Sequence, residues 1–200
     1  MSSQNNIDNI ILKNIGTSGF FIEAGGSDPN DQNNTHLLEI NGWRGLIVEP
    51  KTQFNNSYLI TRPSSIIENY VLVSFEHTES TILGDFSHYM MGGVVNTHNF
   101  PNWSPSPYPC VTLDSLLKKH NIKEVTFFSL DVEGYEIEVL KGVNFKDVFF
   151  HVLVIENHEQ KGQKDDFSFL EEFEFEKKFV LNQHEFYINK NSIYYNTFSL

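Results

Sequence analysis

The sequence predicts an α/β protein built on a doubly wound, mostly parallel sheet that closes with an antiparallel C-terminal hairpin. Three observations predict it. Short apolar runs of strand length recur at Phe20–Ala24, Leu46–Val48, Phe127–Leu130 and Phe149–Ile155, with helically spaced stretches between them. The first run passes at once into the glycine turn Gly25-Gly26, the form of a first crossover in which backbone amides approach a ligand. Carboxylates cluster at the run ends, as Glu23, Glu49, Asp131, Glu133 and Glu156, and in open α/β sheets ligands bind outside the carboxyl ends of the strands.

Taken in order, residues 1–6 are expected to fray, and Ile7 to Ile15 to form an amphipathic helix ending at Gly16, within an N-terminal helical segment 7–19. After the first strand and the glycine turn, Asn34 or Thr35 is placed to cap a helix running to Ile40, which Asn41-Gly42 ends. The second strand finishes on Glu49, where Pro50 stops the ladder. Glu49 falls close to the spacing of about 20 residues after the glycine turn at which an acidic residue takes ribose hydroxyls in dinucleotide folds. A glycine pair alone reads as a bare turn, and an acid after a strand as a solvated one; their order in the chain is the signal.

A second helix is expected over residues 51–60 and a third strand over Asn69 to Ser74. The alternation then weakens. Residues 75–110 hold His77, His88 and His98 and the Gly92-Gly93 pair, and are expected to form an irregular insertion walling the substrate side or a plain surface loop. Val111 to His120 reads as an amphipathic helix, with Thr112 or Asp114 near its start and Lys118, Lys119 and His120 at its end.

The segment FFSLDVEGYEIEVLKG, Phe127 to Gly142, joins a buried strand to a helix. Gly134 allows the turn and Gly142 is placed for a left-handed cap. Asp131 and Glu133 project to one side if the chain is still extended there, or else one of them caps the helix. The strand Phe149 to Ile155 then delivers Glu156, Asn157 and His158 beside them. Asp166 to Lys178 is helical or mixed, and two strands about Asn182-Gln183 close the sheet.

Two hundred residues with 14% aromatic content and no linker or internal repeat predict one packed domain, 1–200. The net charge of -12, with only 14 Lys and Arg, argues against nucleic acid as a partner. No apolar run approaches a membrane span, the polar start lacks a signal peptide's character and Cys110 is the only cysteine, so a cytoplasmic location is expected.

The blocks FIEAGGSDPNDQNNTHLLE, GWRGLIVEP, VTLDSLL, FFSLDVEGYEIEVLKG and VIENHE resemble the FkbM family of S-adenosylmethionine-dependent methyltransferases from about Phe20 to His158. The resemblance implies a class I methyltransferase fold and methyl transfer to a hydroxyl oxygen of a small molecule or glycan, often a sugar. It implies that Glu23, Gly25 and Gly26 line the methionine end of the cofactor, that Glu49 and Pro50 hold its ribose, and that Asp131 lies near the sulfonium and the acceptor. Asn34 and Thr35 match the family's asparagine-threonine pair and support the glycine loop. Pro29 stands where the family usually has a further glycine, and a proline there removes an amide donor.

The expected chemistry is positioning of two reactants while a base, Asp131 or His158, removes the hydroxyl proton. A divalent metal on Asp131, Glu133 and Glu156 is the less favoured version. Two other readings remain: a non-catalytic module that kept the fold, motivated by Pro29, and a nicotinamide dehydrogenase, which the absent G-x-G-x-x-G disfavours.

Overall fold

The computed structural model describes residues 3–87, 92–97, 103–158 and 165–200. The chain opens with a 3-10 turn, Gln4–Asn6, and helix α1, Ile7–Ile15. Strand β1, Phe20–Ala24, leads through the glycine turn to α2, His36–Ile40, and β2, Arg44–Val48. A 3-10 turn at Thr52–Phe54 and α3, Asn55–Thr61, precede β3, Ser65–Glu68. The next segment contributes β4, Val71–Leu72, β5, Thr81–Asp85, β6, Gly93–Val94, and β7, Ser106–Val111. Then follow α4, Leu113–Lys119, β8, Glu124–Leu130, α5, Glu136–Leu140, and β9, Phe149–Glu156. A 3-10 stretch, Ser168–Phe173, leads into β10, Phe175–Leu181, and β11, His184–Asn189.

Seven strands form the main sheet in the order β10-β11-β9-β8-β1-β2-β3. The pairings from β9 through β3 are parallel, while β11 runs antiparallel to both β9 and β10. Both faces of the sheet are covered, which is why its central strands read as continuous apolar runs rather than alternating ones. Phe21, Ile47, Phe127, Val152 and Val154 pack one face against α1, α2 and α3, through residues such as Ile11, Leu38 and Tyr58. Ile22, Leu46, Phe128 and Leu153 pack the other against Leu116 of α4 and Val139 of α5. The order reverses at β1, which has β2 on one side and β8 on the other, so the carboxyl ends of these three strands open one crevice.

Several sequence expectations are corrected. The third strand of the main sheet is Ser65–Glu68, not Asn69 to Ser74: it pairs with β2 from Gly45↔Ser65 to Val48↔Glu68. The chain then leaves the sheet at Asn69, whose side-chain amide donates to the Glu49 carbonyl at 2.8 Å, and Val71–Leu72 pairs with β7 instead. The 75–110 segment is more regular than expected, because β4, β7, β5 and β6 make a second sheet. Pro107 and Pro109 lie in the part of β7 that pairs with β5 alone, where a missing amide costs no second ladder. His88 and His98 lie outside the described residues.

Gly142 is not a left-handed cap. A Cβ there would stand 2.1 Å from the Val73 carbonyl oxygen, so the glycine serves a close backbone approach. Thr35 occupies the N-cap position of α2, yet it makes no side-chain cap bond, because its hydroxyl is committed elsewhere. The start of the chain is tied down from Ser3 onward rather than frayed: Ser3 is buried and bonds Asp8, and Gln4 and Asn5 reach across the crevice.

Candidate active site

The strand ends enclose a cavity of about 350 Å³. Glu23, Gly25, Gly26, Asn34, Glu49 and Pro50 line it from the tips of β1 and β2 and the loop after β1. Asp131 and Glu133 enter from the tip of β8, and Glu156 and His158 from that of β9. Of the residues singled out from the sequence, Thr35 is not on the wall; it stands behind, bonded to Glu23. Pro29 is likewise not on the wall.

The register explains the convergence. Ala24 sits opposite Val48 and Leu130, so Gly25, Glu49 and Asp131 are equivalent next residues on three adjacent strands. The ladder runs on through Gly25 N–H to the Val48 carbonyl and Asp131 N–H to the Ala24 carbonyl, both 3.1 Å. Gly25 has φ +82°, a left-handed conformation that suits glycine.

Glu23 is buried and organises the glycine loop more than it faces the cavity. Its Oε1 accepts the Asn34 amide at 3.0 Å and its Oε2 accepts the Thr35 hydroxyl at 2.8 Å. Burial pushes its carboxyl up, and the Arg62 guanidinium, 3.9 Å away, pulls it back down. Arg62 itself is fully enclosed, giving Nε to Glu39, Nη1 to Asn33 and Nη2 to Thr35 at 2.6 to 2.8 Å. The sequence reading missed Arg62, since an arginine before a proline looks like a loop residue.

Glu49 is also buried, and burial raises its carboxyl against the pull of Lys51. Its two oxygens accept the Ser27 and Lys51 backbone amides, each at 2.8 Å. A carboxylate has about four lone-pair sites, which leaves acceptor capacity toward the cavity. Tyr70, Val71, Leu72 and Val48 add an apolar wall, and Phe86 and Val94 from the second sheet face it.

Asp131 and Glu133 do not lie on an extended chain, because Glu133 has φ +57°. Neither caps α5. Glu136, the first residue of α5, ties the turn before the helix instead, its Oε1 accepting the Val132 and Gly134 amides at 2.9 and 3.2 Å. Burial and then the neighbouring Asp131 raise the Glu133 carboxyl to about 7, with Lys51 opposing.

Glu156 has a carboxyl oxygen within 4.8 Å of one of Asp131, and its Oε1 lies 3.0 Å from His158 Nε2. Burial, followed by Asp131, pushes the Glu156 carboxyl up to about 10. His184, opposite Glu156 in the β9–β11 ladder, completes a group with Asp131 and Glu156 whose ligand atoms lie within 4.8 Å of one another. Glu133, expected in any metal set, is not in this group.

The group does not fit a metal ion well. His184 Nδ1 faces the Asn5 amide nitrogen at 3.1 Å and Nε2 faces the Gln4 carbonyl oxygen at 2.9 Å. A neutral ring donating from Nε2 and accepting at Nδ1 satisfies both and leaves no lone pair for an ion. His184, Gln4 and Gln183 escaped the sequence reading because no local pattern marks them.

No curated protein matches the chain, and no solved structure does. The sequence profile of the methyltransferase FkbM domain matches residues 23–181, most of the chain with the tips of β1, β2, β8 and β9, and the chain belongs to that family.

Proposed function

We propose that the chain is an S-adenosylmethionine-dependent O-methyltransferase with the class I arrangement in one domain, acting on a hydroxyl of a small molecule or glycan, a sugar first among them. The observation that carries this reading is the meeting of Gly25, Glu49 and Asp131, from three neighbouring strand tips, on one cavity. The strand order, with β11 antiparallel between β9 and β10, supports the class I arrangement.

The donor set suits the cofactor, which supplies a methyl group activated on a cationic sulfonium. Glu49 has acceptor capacity for a ribose diol, and Tyr70, Val71 and Leu72 offer an apolar face to a purine. Asp131 and Glu23 contribute negative charge where a cation is to be held. Asn34 fixes the loop from behind, donating to Ser129 Oγ at 3.1 Å while its amide holds Glu23. Asp131 is the group we assign to receive the acceptor's proton. Pro29 stands off the cavity wall, which supports the catalytic reading over a non-catalytic one.

Titration calorimetry with S-adenosylmethionine tests the cofactor assignment, and absence of binding would sink it. Transfer of labelled methyl from that cofactor to a panel of sugars, sugar nucleotides and small alcohols tests the acceptor class. Label recovered on oxygen supports the proposal, and label recovered only on nitrogen or sulfur overturns it.

A further inference from the structure

Asp131 and Glu156 come from adjacent strand tips, and a carboxyl oxygen of each lies within 4.8 Å of the other. Two ionised carboxylates have only acceptors and repel, so carboxyls held together here can bond to each other only with a proton on one of them. Glu156 is 4% exposed, and its other neighbours are the His158 ring and the Gln183 amide, 3.4 Å away. Asp131 faces the cavity and is the less buried partner. Resting on the methyltransferase reading above, we propose that the two carboxyls share one proton and act as a unit. Asp131 is the catalytic base, and Glu156 is the positioning partner that passes the proton on to His158 and water.

The surroundings favour a single charge on the pair. Glu133 and Glu136, from the loop and helix after β8, both push the Glu156 carboxyl up when they ionise. The nearest cation at the tip of β2, Lys51, acts on Glu133 and Glu49 rather than on the pair. His184 on β11 is held toward its neutral form by burial, and Gln4 and Asn5 bring no charge. Like-charged carboxyls this close do not both ionise near neutrality, and burial of Glu156 decides which one keeps the proton.

The proton count closes. Before transfer the pair holds one proton and one negative charge. As the acceptor O–C bond forms and the donor S–C bond breaks with its electron pair staying on sulfur, the hydroxyl proton moves to Asp131. The pair then holds two protons and no charge. Glu156 can release one toward His158 Nε2, at 3.0 Å, whose side chain is 45% exposed and so opens to water. This divides the work between the two base candidates that the sequence offered: Asp131 accepts, and His158 lies on the exit.

The first test needs no acceptor. Carboxyl-carbon NMR titration of the full chain, with labelled Asp and Glu, should show one carboxyl of the pair still protonated at neutral pH. In Asp131→Asn, the Glu156 resonance should then titrate at lower pH than in the wild type. Independent ionisation of both carboxyls below about pH 5, as for ordinary Asp and Glu, would overturn the proposal. In the panel assay, Glu156→Gln should lower the methyl-transfer rate by about 100-fold, as expected for loss of acid-base function. Transfer at the wild-type rate would overturn it. So would loss of wild-type activity in excess EDTA with recovery on adding magnesium, since a metal rather than a proton would then bridge the pair. Failure of the wild type to bind S-adenosylmethionine would remove the methyltransferase reading, while the NMR result would still decide whether a proton is shared.

Discussion

Gly25 and Asp131 lie back to back at the tips of neighbouring strands: a Cβ on Gly25 would stand 1.7 Å from the Asp131 carbonyl oxygen. The cavity's two sides therefore depend on a glycine where the chain leaves β1. Gly25→Ala meets both the left-handed backbone and this overlap, and the backbone oxygen cannot rotate away. The variant is expected to lose about 2 to 4 kcal/mol of stability in urea denaturation, or to shift the β8 tip enough to weaken cofactor binding at least tenfold. An alanine variant with wild-type stability and wild-type affinity would refute this account of the crossover.

Glu49 carries a separable prediction, because its neighbours are known atom by atom. Glu49→Gln keeps the size of the side chain, but one carboxylate oxygen becomes an amide nitrogen facing either Ser27 N–H or Lys51 N–H. One buried donor is left without an acceptor, and one hydrogen bond to a charged group is lost from the ribose side, worth about 1.5 to 3 kcal/mol. Affinity for S-adenosylmethionine should fall about 10- to 150-fold by calorimetry, with methylthioadenosine, which keeps the same ribose, falling in parallel. A loss confined to one of the two ligands would show that Glu49 does not hold the shared ribose.

What the sequence could reveal depended on how far apart the cooperating residues lie. Phe20–Ala24 followed by Gly25, or Leu46–Val48 followed by Glu49, declares a strand tip within a few residues, and parallel register then aligns the tips. The His184 bonds to Gln4 and Asn5 span about 180 positions, and no window of sequence contains both partners. The sequence points to Asn69 to Ser74 rather than Ser65–Glu68 as the third strand, because hydropathy reports burial and not which sheet does the burying. Asp131 and Glu133 are the acids that the sequence offers as caps, yet the chain turns left-handed at Glu133 and it is Glu136 whose carboxylate reaches back to the loop amides.

Acid at the head of α5 makes stability depend on pH. Burial raises the Glu136 carboxyl from 4.5 to about 7, against the pull of the Val132 and Gly134 amides, and Glu133 is raised to about 7 likewise. Below pH 4.5 both states hold these protons. Between 4.5 and 7 the unfolded chain releases them while the folded chain keeps them, so this contribution to stability falls as pH rises through that window. Glu136→Gln removes one such group, and should gain about 1 to 3 kcal/mol over the wild type at pH 8 relative to pH 4, read by urea denaturation at both values. Equal pH dependence in the two proteins would show that Glu136 is ionised in the folded chain.

Loss of Arg62 should reach the cavity from behind. Its three guanidinium nitrogens serve Glu39, Asn33 and Thr35, its plane lies 5.5 Å from the Phe21 ring centroid, and Glu23 stands within 3.9 Å. Arg62→Leu fills the space but leaves Glu23 and Glu39 buried without their cation, a loss of about 3 to 5 kcal/mol for a broken buried pair. Arg62→Lys restores the charge and not the fork, so it should recover less than half of that loss, because a single ammonium cannot meet three partners in three directions. Without its counterion the Glu23 carboxyl is raised further by its burial, which weakens its hold on the Asn34 amide, and cofactor affinity should drop even where the variant stays folded. Stability within about 1 kcal/mol of wild type for Arg62→Leu would mean that Thr35, Asn33 and Asn34 hold the glycine loop without it.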